Sequence, residues 1–274
     1  MLHRLVRVTT FALLGGLCLG SFALACGGTN PCMLDDRQYY VEMPTGHDGS
    51  TMVPAMIFLH GYKGTGLGSM RWQALKDAAA SVGAALIVPQ SKGDAWSMDN
   101  APEDFSGGNA PELAFFDAMK ADVSTRFAVD PDRMVVVGTS AGGMAAWMLA
   151  CHRSTSFAGF VPMAGTFWAP VPPACEGPAA SVVHIHGDAD KTVPLEGRAI
   201  GPARQGSVPE TLAMYAAHGG FGAATEGTVD DLRCDLQTNA EGAILNFCLF
   251  SGGHSFSPRH MLAAWAMLES AGRL

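Results

Sequence analysis

The sequence predicts an α/β fold, in which a mostly parallel sheet is covered by helices on both faces. Short apolar runs alternate with longer helical segments along the chain, as they do in sheets built from strand–helix–strand units. Residues 134–137 form a continuous apolar, mostly β-branched run, which is typical of a strand buried on both faces. Glycine-rich loops follow two predicted strands, at residues 60–66 and 251–256. Loops in such positions commonly carry binding and catalytic groups.

The individual elements follow from this alternation. We predict strands at residues 37–43, 54–59, 84–89, 134–137, 157–163, 181–187 and 243–250. The first alternates in polarity, so we expect an antiparallel edge strand. His184 lies among apolar residues within a strand and is expected to be a satisfied core histidine. Helices are predicted at residues 69–82, 111–127, 141–151, 208–218 and 258–274.

Residues 1–25 have the pattern of a signal peptide and not of a folded element. Arg4 and Arg7 form a positive end, and residues 11–24 form an apolar run that is too short and wrongly flanked for a membrane span. The small residues that end the segment are typical of a cleavage site before Cys26. We therefore expect a secreted or periplasmic bacterial protein, and the alternative is a lipoprotein anchored through Cys26.

Residues 26–274 are then expected to form a single domain of about 250 residues, which is enough for a sizeable core. The whole chain has a formal net charge of −8, and loss of the two arginines in the signal peptide makes the remainder more acidic. An acidic surface disfavours nucleic acid and anionic membranes. We therefore expect no nucleic-acid partner, and no membrane contact unless Cys26 is lipidated. The oligomeric state is left open.

Six cysteines follow the signal peptide, and an even number in an oxidising compartment predicts disulfides. Cys234 and Cys248 are the best candidates, because they would face each other across a hairpin that turns near residues 239–242. The Cys and His residues lack the spacing of a zinc site, so we predict no metal. Further pairings are Cys26 with Cys32 and Cys151 with Cys175.

A Gly-x-Ser-x-Gly motif at residues 138–142 directly follows the buried run, and a predicted helix follows the motif. On such a turn a serine holds a strained backbone conformation, and small neighbours let the strand and the helix pack closely. The turn would expose the Ser140 hydroxyl and aim the Ala141 N–H at the group that the serine attacks. The motif alone could be an ordinary turn in a chain with 33 glycines. The flanking strand and helix favour a nucleophile.

Three further loops could build the surroundings of Ser140. Residues 60–66 follow a central strand and form either a tight turn or the source of a second oxyanion donor. His60 is expected to brace this loop. Trp96 and Trp168 lie in loops after other strands and are candidate walls of a substrate pocket. A tryptophan that only covers the core is the alternative for Trp96.

An acid and a histidine follow later strands. Asp188 and Asp190 lie just after one strand, and His254 follows the last strand behind two glycines. A serine hydroxyl becomes a nucleophile when a histidine takes its proton, and an acid holds the tautomer of that histidine. The order Ser, Asp, His along the chain is that of α/β-hydrolases. We therefore predict the α/β-hydrolase fold.

Together these motifs resemble exported α/β-hydrolase esterases of the polyhydroxybutyrate-depolymerase and feruloyl-esterase type, from about residue 37 to the C-terminus. The matching segments are residues 59–61, 129–133, 138–144, 186–190 with 193–194, and 252–254. The resemblance implies that Ser140 is the nucleophile, that His254 is the histidine, and that the acid is Asp190 and not Asp188. It places the oxyanion donors on the N–H groups of Ala141 and Tyr62.

The chain departs from this family beside the histidine. Family members often have a Trp-Pro pair shortly after it, whereas residues 255–258 are Ser-Phe-Ser-Pro here. The pocket beside His254 is therefore expected to differ.

The resemblance implies a secreted serine carboxylic-ester hydrolase that works through an acyl-serine intermediate and needs no cofactor. The substrate would be a small or polymeric ester: a polyester or hydroxyacid oligomer, or a feruloyl or acetyl ester of a polysaccharide. One alternative is an exported serine peptidase or thioesterase with the same triad. Another is a non-catalytic polymer-binding protein on a hydrolase scaffold.

Overall fold

A computed structural model describes residues 26–102 and 107–274. The predicted signal peptide lies outside these residues. A sheet of ten strands forms the centre of the described chain, and helices cover both of its faces. The predicted fold class, an α/β-hydrolase fold with a mostly parallel sheet, is confirmed.

The structure sets the bounds of the elements as follows. The strands are β1 (Cys32–Leu34), β2 (Arg37–Glu42), β3 (Val53–Leu59), β4 (Ala85–Pro89), β5 (Val129–Thr139), β6 (Gly159–Met163), β7 (Val182–Gly187), β8 (Ala199–Ile200), β9 (Ala203–Arg204), β10 (Thr225–Val229), β11 (Leu232–Thr238) and β12 (Ile244–Phe250). The helices are α1 (Gly66–Met70), α2 (Gln73–Ser81), α3 (Ala110–Arg126), α4 (Ala141–His152), α5 (Val208–Gly219) and α6 (Pro258–Ser270). None of these helices is long and apolar enough to cross a bilayer.

The large sheet has the strand order β1-β2-β4-β3-β5-β6-β7-β12-β11-β10. The six central strands, from β4 to β12, pair in parallel. Two antiparallel strands extend the sheet at each end. The carboxyl ends of the parallel strands therefore meet at one rim, where binding sites of open α/β sheets form.

The prediction that residues 37–43 form the edge strand is wrong in one respect. This strand, β2, is antiparallel as expected, but β1 pairs outside it, with Cys32 opposite Tyr39. The chain reverses between the two strands at Asp35, which has φ 51°, and the Cys32 side chain is buried in the core. Three residues are too few to show a strand pattern in the sequence.

Burial explains why the run before the serine motif does not alternate. Val136 belongs to the core beneath α3 and α4, whereas Val135 and Val137 belong to the core beneath α2 and α6. Successive side chains of a strand point to opposite faces, and both faces of β5 are covered. Every position in the run is therefore apolar.

The predicted helix at residues 69–82 is two helices, α1 and α2, separated at Arg71 and Trp72. The Thr65 side chain caps α1 by accepting a hydrogen bond from Gly68 N at 3.0 Å. This cap starts a short helix several residues before the apolar pattern begins.

Strand β10 and the small β8–β9 hairpin were not predicted. Their side chains are mostly exposed, so they carry no alternating pattern.

Three disulfides stabilise the described chain: Cys26–Cys32, Cys151–Cys175 and Cys234–Cys248. The last joins two residues directly opposite each other on β11 and β12. It therefore ties the antiparallel end of the sheet to the parallel strands that precede the predicted catalytic loops.

We expect replacement of Cys234 and Cys248 by alanine to lower the free energy of unfolding by about 3 kcal/mol, because a loop of about 15 residues is no longer closed in the unfolded chain. For a domain of this size the melting temperature should fall by about 6–12 °C. Thermal denaturation followed by circular dichroism measures the change. The Cys26–Cys32 pair closes a shorter loop, so removing it should cost less. Equal melting temperatures for all three proteins would contradict the entropic account.

Candidate active site

Ser140 sits on the turn between β5 and α4 with a backbone conformation of φ 57° and ψ −122°. Non-glycine residues rarely adopt positive φ, and a serine held there stores strain. The Ser140 N–H donates to Met163 O at 2.9 Å, which ties the turn to the end of β6. The sequence prediction of a sharp strand–serine–helix turn is thus realised at the carboxyl end of β5.

Close backbone packing around the turn requires glycine. A Cβ atom on Gly138 would lie 2.0 Å from Gly142 O, and one on Gly142 would lie 2.0 Å from Leu59 O. Neither contact is physically tolerable, and both involve backbone atoms that cannot move away. The two glycines of the motif therefore let β3, β5 and α4 approach closely enough to hold Ser140 in place.

The loop after β3 packs beside Ser140. A Cβ atom on Gly61 would lie 3.3 Å from Ser140 Cβ, so the next peptide along the loop is close to the serine. Within residues 26–102 and 107–274, the N–H groups of Tyr62 and Ala141 have no hydrogen-bond partner. An oxyanion hole requires N–H groups that are free to bind the substrate oxygen, so these two groups stay the predicted donors.

His60 braces this loop, as the sequence analysis expects. Its Nε2 accepts a hydrogen bond from Ser91 N at 3.3 Å, and its backbone oxygen accepts one from Trp96 Nε1 at 2.9 Å. The ring is buried, and burial lowers the pKa of His60. The neutral ring therefore holds the loop after β3 against the loop after β4.

Asp190 lies in the loop after β7 with a fully buried carboxylate. Its Oδ1 accepts hydrogen bonds from the N–H groups of Thr192 and Val193 at 2.8 and 2.9 Å. Its Oδ2 accepts a hydrogen bond from Nδ1 of His254 at 2.7 Å. Burial alone would raise the pKa of Asp190, but the nearby His186 ring and the hydrogen bonds from His254 and Val193 outweigh burial and lower the pKa below its ordinary value. Asp190 is therefore ionised at neutral pH and holds His254 through Nδ1.

Asp188, the other acid of the loop, has different partners. One of its oxygens accepts a hydrogen bond from the Arg233 guanidinium at 2.9 Å, and the other accepts one from Gly252 N at 3.1 Å. Asp188 thus joins the loop after β7, here called the acid loop, to the loop after β12 that carries His254. It does not contact the imidazole, so Asp190 is the acid of this loop that is paired with His254.

Ser140, Asp190 and His254 follow β5, β7 and β12, which lie within four neighbouring strands of the sheet. All three loops are therefore at the same rim. Within the described residues the Ser140 hydroxyl makes no hydrogen bond to His254. The structure thus brings the acid and the histidine into contact and leaves the serine hydroxyl unpaired at the rim they share.

A cavity of about 290 Å³ opens beside Ser140. The predicted wall residues Trp96 and Trp168 both line this cavity. The Trp96 side chain is also fully buried, so it covers the core as well. Gln205, which is not among the predicted wall residues, pairs with Trp168 across an isolated β-bridge and also lines the cavity. No local pattern places Gln205 there. The rest of the lining is mostly apolar and includes Met98, Met144 and Val193.

No cluster of three or more His, Cys, Asp or Glu residues among the described positions is arranged to hold a metal ion. The groups that the structure places near the rim are the Ser140 hydroxyl, the His254 imidazole, the buried Asp190 carboxylate and the N–H groups of Tyr62 and Ala141. A parallel sheet with a serine turn and an Asp–His pair at its carboxyl rim defines the α/β-hydrolase class.

The chain belongs to the esterase family, because residues 31–205 match the family model described as "Putative esterase". A probable feruloyl esterase C from Aspergillus terreus is 24% identical over 93% of this chain and 92% of its own length. NocK of Nocardia uniformis subsp. tsuyamanensis, named as a putative esterase, is 33% identical over 55% of this chain, which spans 44% of that relative. The protein is therefore a carboxylic ester hydrolase.

Solved structures agree on the fold. The acetyl xylan esterase from Aspergillus awamori superposes with a TM-score of 0.61 over 87% of this chain and 94% of its own, at 15% identity. A carboxylesterase from Bacillus cereus superposes with a TM-score of 0.57 at 14% identity. At such low identity these matches show a shared architecture.

We expect Asp190→Asn to lower kcat for p-nitrophenyl acetate by about 10⁴-fold, because the amide no longer holds the required tautomer of the histidine. Asp188→Asn is the matched control and should lower kcat by less than about tenfold, since Asp188 contacts only Arg233 and the Gly252 N–H. Steady-state kinetics on variants with native circular dichroism spectra measure both. The opposite ranking would reassign the acid.

Proposed function

We propose that the protein hydrolyses esters in two steps through an acyl-serine at Ser140. In the first step His254 takes the proton of the Ser140 hydroxyl as its oxygen attacks the carbonyl carbon, and the alcohol leaves with that proton. In the second step His254 takes a proton from water as the water oxygen attacks the acyl-serine, and it gives that proton to Oγ of Ser140 as the bond to the acyl group breaks and the acid is released. Asp190 holds the imidazole and stabilises its charged form in both steps.

The N–H groups of Tyr62 and Ala141 are proposed to bind the oxyanion of each tetrahedral intermediate. Ala141 directly follows Ser140 in the chain, and Tyr62 follows Gly61, which packs beside Ser140. Neither N–H group has a hydrogen-bond partner within the described residues. Donors that are fixed before the reaction stabilise charge as it develops, and loss of one typically costs about 2.7–4 kcal/mol of activation free energy.

One observation carries this proposal: the 2.7 Å hydrogen bond from His254 to the buried carboxylate of Asp190. A histidine that merely packs at a rim needs no buried, ionised partner, and burying a carboxylate is costly unless it is fully hydrogen-bonded. Here the carboxylate receives two backbone N–H groups and one imidazole. The oriented imidazole lies at the rim where the unpaired Ser140 hydroxyl emerges.

The cavity supports an ester with an apolar or aromatic part. Most of its lining residues are apolar, and two of them are tryptophans, against which aromatic rings pack well. Similarity to a probable feruloyl esterase C over nearly the whole chain points in the same direction. We therefore favour feruloyl esters of polysaccharide among the proposed substrates, ahead of acetyl esters, polyesters and hydroxyacid oligomers.

The three disulfides support a proposed location in an oxidising compartment, either secreted or periplasmic. Cys26 is bonded to Cys32, and a sulfur in a disulfide cannot carry a thioether-linked lipid. The disulfide therefore favours a secreted or periplasmic protein without a lipid on Cys26 over the lipoprotein.

We expect Ser140→Ala to lower turnover of p-nitrophenyl acetate by about 10⁴-fold or more, because the covalent step is lost. A fluorophosphonate should label the wild type once, on Ser140, as peptide mass mapping would show. Ser50→Ala, which changes an exposed serine far along the chain, should keep full activity and labelling. Undiminished turnover by Ser140→Ala would refute the mechanism.

We expect Trp168→Ala to lower kcat/KM for methyl ferulate by about tenfold more than for p-nitrophenyl acetate, because an aromatic acyl group loses a ring contact of about 1 kcal/mol or more. Trp72→Ala removes a 40% exposed tryptophan that does not line the cavity and serves as the control. Parallel losses on both substrates in Trp168→Ala would argue against an aromatic group in this cavity.

A further inference from the structure

A chain of three buried aromatic rings leads from the helix after Ser140 to the acid loop. Trp147 on α4 donates its Nε1–H to Nδ1 of His184 at 3.0 Å. Nε2 of His184 lies 3.0 Å from Nδ1 of His186, its neighbour on the same face of β7. All three side chains are fully buried. The proposed mechanism uses none of them.

The chain of hydrogen bonds can run in only one direction. An indole N–H is a donor and cannot accept, so Nδ1 of His184 must be unprotonated and its Nε2 must carry the proton. His184 Nε2–H then donates to Nδ1 of His186, which in turn leaves the proton of His186 on Nε2. Burial, with His186 beside it, holds the pKa of His184 well below its ordinary value, so the ring is neutral and keeps this tautomer.

The last proton of the chain faces the acid loop. His186 Nε2–H donates to Val193 O at 2.8 Å and lies 3.4 Å from Oδ2 of Asp190. Oδ2 is the same oxygen that accepts the hydrogen bond from His254. The peptide of Val193 also donates its own N–H to Oδ1 of Asp190 at 2.9 Å. His186 thus lies against the carboxylate and, through its hydrogen bond to Val193 O, holds the residue whose N–H donates to Oδ1.

We propose that His186 is a positioning residue for Asp190, and that Trp147, acting through His184, fixes the tautomer of His186 that makes this possible. The inference rests on the proposed function, in which Asp190 holds the catalytic imidazole. The consequence is that the helix carrying the nucleophile and the loop carrying the acid are joined by hydrogen bonds through the core.

The opposite tautomer of His186 would harm the site. With the proton on Nδ1, the lone pair of Nε2 would face two acceptors, Val193 O and Oδ2 of Asp190, at 2.8 and 3.4 Å. The repulsion would displace the carboxylate away from His254. An apolar side chain would avoid the repulsion but would leave Val193 O without its donor in a buried position, which costs free energy.

Other charged groups do not replace this support. Asp188 is engaged with Arg233 and with the Gly252 N–H, and the Lys191 side chain is on the exposed part of the loop. Phe247 is the aromatic neighbour of His184 on β12, with ring centroids 5.6 Å apart, and it has no polar group. The N–H of His186 is therefore the side-chain donor that reaches Asp190 from within the core.

The test compares His186→Phe with His186→Gln. Phenylalanine keeps a ring but removes both nitrogens, whereas the glutamine amide can return an N–H near the position of Nε2. We expect His186→Phe to lower kcat for p-nitrophenyl acetate by about 10–100-fold with KM changed by less than about threefold, as for outer hydrogen-bond partners in metal sites. His186→Gln should recover at least about tenfold of the loss.

A second variant tests the far end of the chain and guards against a failure of His186→Phe to fold. Trp147→Phe keeps an aromatic ring in the core and removes only the N–H that orients His184. We expect a loss of about threefold to tenfold in kcat at unchanged KM, and a weakened or shifted downfield proton resonance from the His254 Nδ1–H. Trp265→Phe, on α6 in the opposite core, is the matched control and should leave kcat and the resonance unchanged.

Each outcome decides one question. Wild-type kcat and an unchanged resonance in folded Trp147→Phe, together with equal kcat for His186→Phe and His186→Gln, would overturn the positioning role and leave these rings as core packing. Fluorophosphonate labelling of Ser140 in the wild type is measured alongside. If it fails, the proposed function fails; if it succeeds while the His186 variants keep full kcat, only this inference fails.

Discussion

The strained turn at Ser140 is the constraint on which the rest of the site depends. A serine at φ 57° is unfavourable on its own, and the surrounding packing must impose it. The strand before it is covered on both faces, the helix after it is buried along nearly its whole length, and glycines allow backbone contacts that any Cβ would prevent. Because these elements are rigid, the hydroxyl and the Ala141 N–H are presented together in a fixed orientation.

The acid side of the site solves a different problem, which is how to bury a carboxylate without neutralising it. Hydrogen bonds from two backbone N–H groups and from His254 stabilise the ionised form, and with His186 nearby they lower the pKa of Asp190 despite burial. A lowered pKa in the folded state means that Asp190 stabilises the fold above the pH at which an unfolded aspartate titrates. This contribution is lost as pH falls toward the folded-state pKa.

The parts of the structure that depend on local pattern could be predicted from sequence. The apolar run before the Gly-x-Ser-x-Gly motif requires a doubly covered strand, and the motif itself requires a sharp turn, so the position of Ser140 followed directly. The structure also contains the disulfide between Cys234 and Cys248, which a hairpin places opposite each other. The preference for Asp190 over Asp188 came from a resemblance, since both acids lie in the same loop.

The parts that depend on long-range packing could not be predicted. Gln205 directly follows the short β8–β9 hairpin and lies opposite Trp168, which brings it to the cavity. The residues around it in the sequence do not indicate this placement. His184 was expected to be a satisfied core histidine, and it is buried and hydrogen-bonded. Its partners are Trp147, which is 37 residues earlier, and His186, on the same face of the strand. The contact with Trp147 depends on how α4 packs against β7.

The central claim is that Ser140 and His254 act on the same substrate carbonyl, and a crystal structure of the phosphonylated enzyme tests it most directly. The account predicts phosphorus bonded to Oγ of Ser140, with Nε2 of His254 about 2.6–3.2 Å from a phosphonate or serine oxygen. It also predicts a phosphonyl oxygen between the N–H groups of Tyr62 and Ala141. Phosphorus on another residue, or a His254 ring out of reach of the adduct, would contradict it.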